Sequence, residues 1–567
     1  MKRTTLLMVF ILVPAILLGQ VAKLAPELQQ PSGTQMVRVI VQYKSVPTGM
    51  QKSAMPLSGA QASGQLSLIN AVQATVPAGF LAALAADPRV AYVSPDRAVH
   101  GHMNNAAPAV LANYGWGRGL NGAGVSVAVV DSGIHGVDDV GAVAGGSRVG
   151  ASFDYTGEGA DDFYGHGTHV AGIIGGNGAD SICPACNVTI KGIAPNVNLI
   201  NFKVLNSQGE GTESAVIQAI QAAVQLKATY NIRVINLSLG HPVFESYKLD
   251  PLCQAVEQAW KAGIVVVVSA GNGGRDNSAG TAGYATIESP GNDPYVITVG
   301  AANGKGTPDR ADDVMTSYSA KGPTAIDHIV KPDIVAPGNR VVSLAAQAWL
   351  EAQNPQNAVS LNYYQMGSST DPSPDYFVLS GTSMSTGMVS GAVALMLQQD
   401  ATLTPDQIKA RLMKTAFKGL ARNVAVVDGG VTYNVQSDIF TVGAGYLDIQ
   451  AALTNKDKAP GLAKSPVAAF DSTTGNAYFV ADTQTPWGLN SGKLAATLAP
   501  TVWDSATVWG QAAFVSKAPV SGDSAMWGSS AMWGNSAMWG NSAMWGNSAM
   551  WGNSAMWGND LEVNGEN

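Results

Sequence analysis

Five short apolar runs constrain the fold of this chain more than anything else: Val125–Val130, Asn198–Val204, Arg233–Leu239, Ile264–Ser269 and Tyr295–Gly300. Stretches with helical spacing lie between and after them: His166–Gly175, Thr212–Lys227, Pro251–Lys261, Ser383–Gln399 and Thr404–Ala416. Apolar runs of this length, without alternation, suit strands buried on both faces. Strands that alternate with helices build a parallel sheet with helices packed on both sides. The expected fold class is therefore α/β, a parallel sheet flanked by helices on both faces. In such sheets the functional groups collect beyond the carboxyl ends of the strands.

One of those ends carries an acid, since Val125–Val130 runs into Asp131-Ser132-Gly133. Gly165–Gly172 (Gly-His-Gly-Thr-His-Val-Ala-Gly) opens a small-residue helix with His166 at its entrance. Ser380–Gly391 (Ser-Gly-Thr-Ser-Met-Ser-Thr-Gly-Met-Val-Ser-Gly) opens another, with Ser383 in its first turn. A serine there lies beside unpaired backbone N–H groups and the positive end of the helix dipole. Those groups suit an oxyanion forming next to the serine oxygen. Serine alone is a weak nucleophile and needs a base and an orienting acid. Ser and Thr are also ordinary helix caps, so this stretch alone supports either reading. Asp131 and His166 upstream supply the missing groups.

The three boxes, in the order Asp, His, Ser, resemble those of the subtilisin-like serine endopeptidases, the subtilases. A fourth stretch, Ser269-Ala270-Gly271-Asn272-Gly273, matches as well, and the resemblance runs from about Gly119 to Leu453. It implies that Ser383 is the nucleophile, that His166 is the general base and that Asp131 orients the imidazole. It also implies an oxyanion hole made by the Asn272 side chain and the Ser383 backbone N–H. Substrate backbone would pair with the edge Leu237–Gly240, placing Ser238, Leu239 and Gly240 on one wall of the specificity pocket. Val268–Gly271 would form the opposite wall, with Ala270 and Gly271 as its substrate-binding residues. Aligning Pro290-Gly291 with the family puts Glu288 near the pocket floor, where a carboxylate favours Lys or Arg on the acyl side. The family usually has Ala, then Ser or Thr, then Pro after Ser-Met. Here Ser385-Thr386-Gly387 stands instead, and Gly387 is expected to loosen the first turn of the helix slightly. His169 reads as a packing residue and His135 as a loop residue. No Glu lies between His166 and His169, so the zinc-protease spacing fails. The resemblance also implies structural calcium in surface loops, with no catalytic cofactor. No dense carboxylate motif marks its ligands.

Outside this region the chain reads in modules. Residues 1–22 form a signal peptide: Lys2 and Arg3 precede an apolar run from Leu6 to Leu18 that is too short to span a membrane. Secretion follows, to the extracellular space, periplasm or cell surface. Residues 35–100 read as a small α+β module, with strands at Gln35–Tyr43, Ser67–Val76 and Val90–Val93 and a helix at Pro77–Ala86. Its position resembles the subtilase inhibitor propeptide, so the chain's own propeptide is an expected partner. An exposed linker is expected at His100–Ala107, a catalytic domain at 108–454 and a linker-like region at 455–522. Residues 523–559 repeat Ser-Ala-Met-Trp-Gly-Asn, and 560–567 form an acidic tail. The Trp-rich tract is either a flexible low-complexity tail or a module that binds a cell surface or polysaccharide. Secretion favours a Cys183–Cys186 disulfide over zinc and leaves Cys253 as a buried thiol. A net charge of −8 argues against nucleic-acid partners. The alternative to a self-processed secreted peptidase acting on polypeptides is a non-catalytic surface protein that reuses the fold. A lipase or esterase fails on motif and on chain order.

Overall fold

The computed structural model describes residues 23–25, 28, 36–45, 60–66, 70–95, 103–141, 146–278, 280–367, 370–471, 476–480, 485 and 564–566. The expected signal peptide and the hexapeptide repeats lie outside the described residues. The chain divides into two compact units, Met1–Val99 and His100–Asn567.

The first unit holds β1 (Met36–Tyr43), β2 (Gln61–Leu66), β3 (Ala71–Pro77) and β4 (Val90–Pro95) in one sheet, in the order β2-β3-β1-β4. β1 pairs antiparallel with β3 and β4. Val39, Val41, Val72, Val76, Val90 and Val93 pack with Leu81 and Leu84 of the short helix Leu81–Ala86. The strand expected at Ser67–Val76 is in place from Ala71, while β2 was not expected at all. Its sequence, Gln-Ala-Ser-Gly-Gln-Leu, is polar and small, as an edge strand can be, and carries no alternation to reveal it.

The second unit is built on an eight-stranded sheet in the order β11-β10-β9-β8-β5-β7-β6, with β12 also paired to β10. Its strands are β5 (Ser126–Asp131), β6 (Val149–Asp154), β7 (Asn198–Lys203), β8 (Ile232–Leu237), β9 (Val265–Ser269), β10 (Ile297–Asn303), β11 (Val314–Met315) and β12 (Ile334–Pro337). All pairings are parallel except β10 with β11. Every residue of β5 and β9 is buried, which is why those runs show no alternation. Two helices are buried almost all round: His166–Gly175, and Thr382–Gln399 as far as Leu397. Apart from His166 and His169 their buried residues are apolar or small on every face, as such burial requires. Gly387 lies within the unbroken second helix. A Cβ there would stand 3.0 Å from Ile173 Cγ2, so the glycine lets the two helices approach closely.

Several boundaries differ from expectation. The region His100–Ala107 is not an exposed linker throughout, because a helix starts at Met103 and Ala106 and Ala107 are buried. Residues just past 454 are not linker-like either. Ala459, Ala463, Ser465 and Ala468 are buried, and Ala468–Asp471 pairs with Asn476–Phe479. An antiparallel sheet of β13 (Val341–Leu344), β14 (Ala358–Ser360) and β15 (Pro372–Leu379) was not expected. Pro372 and Pro374 disguise β15.

At the amino end of β12 lies a buried ionic cluster. Asp333 Oδ2 accepts from Lys331 Nζ at 2.7 Å and from Thr298 N–H at 2.9 Å. Asp333 Oδ1 faces Lys409 Nζ at 3.1 Å and accepts from Ser465 Oγ. Burial raises the Asp333 pKa, but the two ammonium groups outweigh it and hold the pKa below the ordinary value. Burial pushes Lys409 down to about 7.

Candidate active site

Asp131 is the last residue of β5, so its side chain emerges at the carboxyl edge of the sheet. It is fully buried. Its Oδ1 accepts from Ser132 N–H at 2.8 Å and meets His166 Nδ1 at 2.7 Å. Its Oδ2 is buried with no hydrogen-bond partner among the described residues. His166 is the first residue of its helix and is buried. Burial lowers its pKa, but the Asp131 charge and hydrogen bond outweigh that penalty and leave it raised above 6.5. A carboxylate on Nδ1 fixes the tautomer with Nε2 as the basic nitrogen.

A side-chain network locks the acid loop to the histidine helix. Ser132 Oγ donates to Asp162 Oδ1 at 2.9 Å and accepts from Gly167 N–H at 2.8 Å. Asp162 also accepts from Gly165 N–H at 2.7 Å, Thr168 N–H at 2.8 Å and Thr168 Oγ1 at 2.7 Å. It thereby satisfies donors that the helix start cannot pair internally. A Cβ on Gly167 would stand 2.2 Å from Gly133 O, so only glycine lets the loop and helix meet this closely.

Ser383 lies in the first turn of Thr382–Gln399 and is 6% exposed. Its Oγ donates to Ser238 O at 3.2 Å. No His166–Ser383 hydrogen bond is present among the described residues; apo sites often hold this contact loosely. The Ser383 carbonyl accepts from Ser238 Oγ at 3.1 Å. Ser238 Oγ in turn accepts from Asn236 Nδ2, whose Oδ1 accepts from Ser390 Oγ at 2.8 Å. Asn272 lies across the turn, where its Oδ1 accepts from Thr382 N–H at 2.9 Å. That bond identifies the oxygen of the amide and leaves Nδ2 as its donor end. A Cβ on Gly381 would stand 3.3 Å from Nδ2, which places the amide nitrogen beside the turn that leads into Ser383.

Gly240 and Gly271, one from each expected pocket wall, both lie against the Glu288 side chain. A Cβ on Gly240 would stand 2.7 Å from Glu288 Oε2, and one on Gly271 would stand 2.6 Å from Glu288 Cδ. Glu288 N–H donates to Ala270 O at 3.1 Å. Ser238 and Leu239 are buried and continue past the end of β8. The run read as a strand to Leu239 therefore stops pairing at Leu237.

His169 is three residues along the same helix from His166, yet its Nε2 faces Val341 O at 3.1 Å and Phe377 O at 3.2 Å. Burial, with the His166 charge adding to it, lowers its pKa to about 3, so it is a neutral donor to carbonyls. His135 pairs with Asp161 at the surface. Cys183 and Cys186 are joined in a disulfide with a Cα–Cα distance of 4.9 Å, and Cys253 is a buried free thiol. Sequence reasoning missed Ser132, Asp162, Asn236 and Ser390. Asp162, four residues before His166 in a Gly-rich stretch, carried a capping signal that could have been read.

Among the described residues, one group of three side chains could share a metal ion: Glu213, His241 and Asp250. It does not fit calcium. Asp250 caps a helix through Leu252 N–H and Cys253 N–H and accepts from Ser289 Oγ, and an imidazole is a poor ligand for a cation that favours six to eight oxygens.

The sequence profile of the Subtilase family (peptidase S8) matches residues 122–448. Serine protease AprX of Bacillus subtilis is 39% identical over 306 residues, covering 52% of this chain and 62% of the relative, less than two thirds of its length. Subtilisin DY of Bacillus licheniformis is 33% identical over 348 residues, covering 61% of this chain and 96% of the relative. An extracellular serine proteinase of a Thermus strain is 32% identical over 399 residues, covering 66% of this chain and 79% of the relative.

Proposed function

This chain belongs to the subtilase family as a serine-type endopeptidase, and we propose that Ser383, His166 and Asp131 carry its hydrolysis of polypeptides. The observation that supports this most is the 2.7 Å contact between Asp131 Oδ1 and His166 Nδ1 at the edge where the Ser383 turn also sits. In the proposed cycle Ser383 Oγ leaves Ser238 O, passes its proton to His166 Nε2 and attacks the scissile carbonyl carbon. The Asp131 carboxylate stabilises the imidazolium that forms. Asn272 Nδ2 and the Ser383 N–H donate to the tetrahedral oxyanion. His166 then protonates the leaving amine, and water hydrolyses the acyl-enzyme by the same relay. No step uses a metal ion.

In this reading Glu288, between the walls formed by Ser238–Leu239–Gly240 and Ala270–Gly271, selects a basic side chain on the acyl side of the scissile bond. The first unit acts as a propeptide that inhibits the second until it is cut away, and the mature peptidase is secreted. Two features support secretion: the leader composition and the disulfide. No helix among the described residues is long and apolar enough to cross a membrane. The Trp repeats are proposed to bind a cell surface or polysaccharide, and structural calcium is proposed at sites other than Glu213–His241–Asp250.

The test is to express full-length wild type and Ser383→Ala and follow both processing and peptide turnover. The expected result is that wild type loses its first unit and cleaves Arg- or Lys-containing peptides, while Ser383→Ala stays full-length and inactive. An unprocessed, inactive but folded wild type would favour the non-catalytic surface protein.

A further inference from the structure

The segment Asn564–Gly565–Glu566 is seated on the second unit, far in sequence from every residue it touches. Glu566 is 1% exposed although it is a carboxylate. Its Oε1 accepts from Arg275 Nη2 at 2.9 Å, from Ser317 N–H at 2.8 Å and from Ser317 Oγ. Its backbone is held as well: Glu566 N–H donates to Asn339 Oδ1 at 2.8 Å, and Asn339 Nδ2 donates to Glu566 O at 2.7 Å. One side-chain amide thus reads both backbone groups of one residue. Arg340 Nη1 donates to Asn564 O at 3.2 Å. Gly565 has φ +66°, and a Cβ there would stand 2.3 Å from Ser380 Oγ and 2.6 Å from Asn339 Oδ1, so only glycine fits.

The receptor is made from the backs of the two turns that carry the chemistry. Arg275 is three residues past Asn272, and Ser380 is three residues before Ser383. Gly274 N–H donates to Tyr318 O at 2.7 Å, next to Ser317, so the carboxylate grips both ends of that contact. Ser380 Oγ accepts from Arg340 N–H at 2.8 Å, and Gly381 N–H donates to Gly338 O at 2.8 Å, next to Asn339. A carboxylate removed from water is costly unless several donors replace its hydration; here three do so on Oε1, while Oε2 is buried with no hydrogen-bond partner among the described residues.

We propose that Arg275, Ser317 and Asn339 form a carboxylate receptor for the Glu566 segment, and that its occupation positions the Asn272 turn against the Ser383 turn. Glu566 is then a positioning residue that acts through Asn272. This rests on the oxyanion role proposed above for Asn272. Oxyanion donors work only when held in place in advance, and small displacements transmitted from a distance lower turnover.

The experiment uses the full chain with Glu566→Gln and, independently, Gly565→Ala, which keeps the carboxylate but blocks the seat. Hydrogen exchange at the Glu566 amide reads docking without reference to activity. Peptide kinetics are measured in wild type and in an Asn272→Ala background. The expected result is that both variants deprotect the amide and lower kcat about tenfold with KM unchanged, and that this loss shrinks below about twofold once Asn272 is Ala. An unprotected amide in wild type, unchanged kcat after undocking, or the same fold-loss in both backgrounds would each overturn the proposal. A wild type that is folded but has no turnover would instead fail the Ser383 reading, and exchange at Glu566 would still decide whether the receptor exists.

Discussion

Two buried aspartates stand at opposite edges of one parallel sheet. Asp131 ends β5 at the carboxyl edge, and Asp333 precedes β12 at the amino edge. Neither side chain is exposed. Asp333 is saturated: two lysines, a serine and a backbone N–H occupy both of its oxygens. Asp131 is served on one oxygen only, by a histidine and its neighbour's N–H. The buried carboxylate with complete partners joins Lys331, Lys409, Ser465 and Thr298 from four separate stretches of the unit. The one with incomplete partners is paired to a group that can gain and lose a proton. Equal burial therefore does not imply equal purpose; what distinguishes the sites is whether both carboxylate oxygens are partnered, as in Asp333, or one is left without a partner among the described residues, as in Asp131.

The largest way to break this contrast is Asp131→Asn. It keeps shape but presents the wrong hydrogen-bond polarity to Nδ1, and on the proposed mechanism kcat should fall about 10⁴-fold, the scale of the same change in a serine-protease triad. Thermal stability should stay near wild type. Comparable losses of stability and activity would erase the distinction. Asp333→Asn should do the opposite. It leaves two buried ammonium groups without a counter-charge and should cost about 3–5 kcal/mol in denaturant unfolding, less whatever Lys409 recovers by shedding its proton. Whatever remains folded should turn over peptides normally.

The smallest effect is in pH. His166, raised above 6.5 by Asp131, must be neutral to act as the proposed base, so kcat/KM should rise with pH through a midpoint above 6.5. The stability that the Asp131–His166 contact contributes has the reverse sense: it is full below the unfolded pKa near 6.5 and fades as pH rises through the folded value. Asp333 has a depressed folded pKa, so its contribution is present above the unfolded value near 3.8 and is lost only as pH falls through the folded one. His169, neutral down to about 3, subtracts stability as pH drops below 6.5. Activity should therefore disappear at about pH 5 while the Asp333 cluster is intact, and should return on shifting back to pH 8. Loss that does not reverse, tracked by unfolding in circular dichroism, would mean that the two sites fail together.

Much of the sheet and the Asp, His and Ser positions could be read in the sequence because their signals are local. Fully buried strands are uninterrupted apolar runs, and Asp131, His166 and Ser383 each sit at the junction of such a run with a small-residue turn. What could not be read depends on partners far apart in the chain. Ser465 looked like part of a linker because its role is set by Lys409 and Asp333. Glu566 looked like part of an acidic tail because Ser317, 249 residues away, supplies its donors. Gly387 read as a weakness in a helix, and only the fold shows that it packs tightly against Ile173. Asp162 lay between these cases, with a local capping signal and a network that only the fold completes.

The central claim is that Ser383 is the nucleophile activated by His166 over Asp131. It is tested most directly by fluorophosphonate labelling of the folded wild type, with the modified residue located by peptide mass spectrometry and compared with Ser383→Ala and Asp131→Asn. A single adduct on Ser383, absent from Ser383→Ala and strongly slowed in Asp131→Asn, is the predicted result. No adduct on folded wild type, or one that persists in Ser383→Ala, would contradict it.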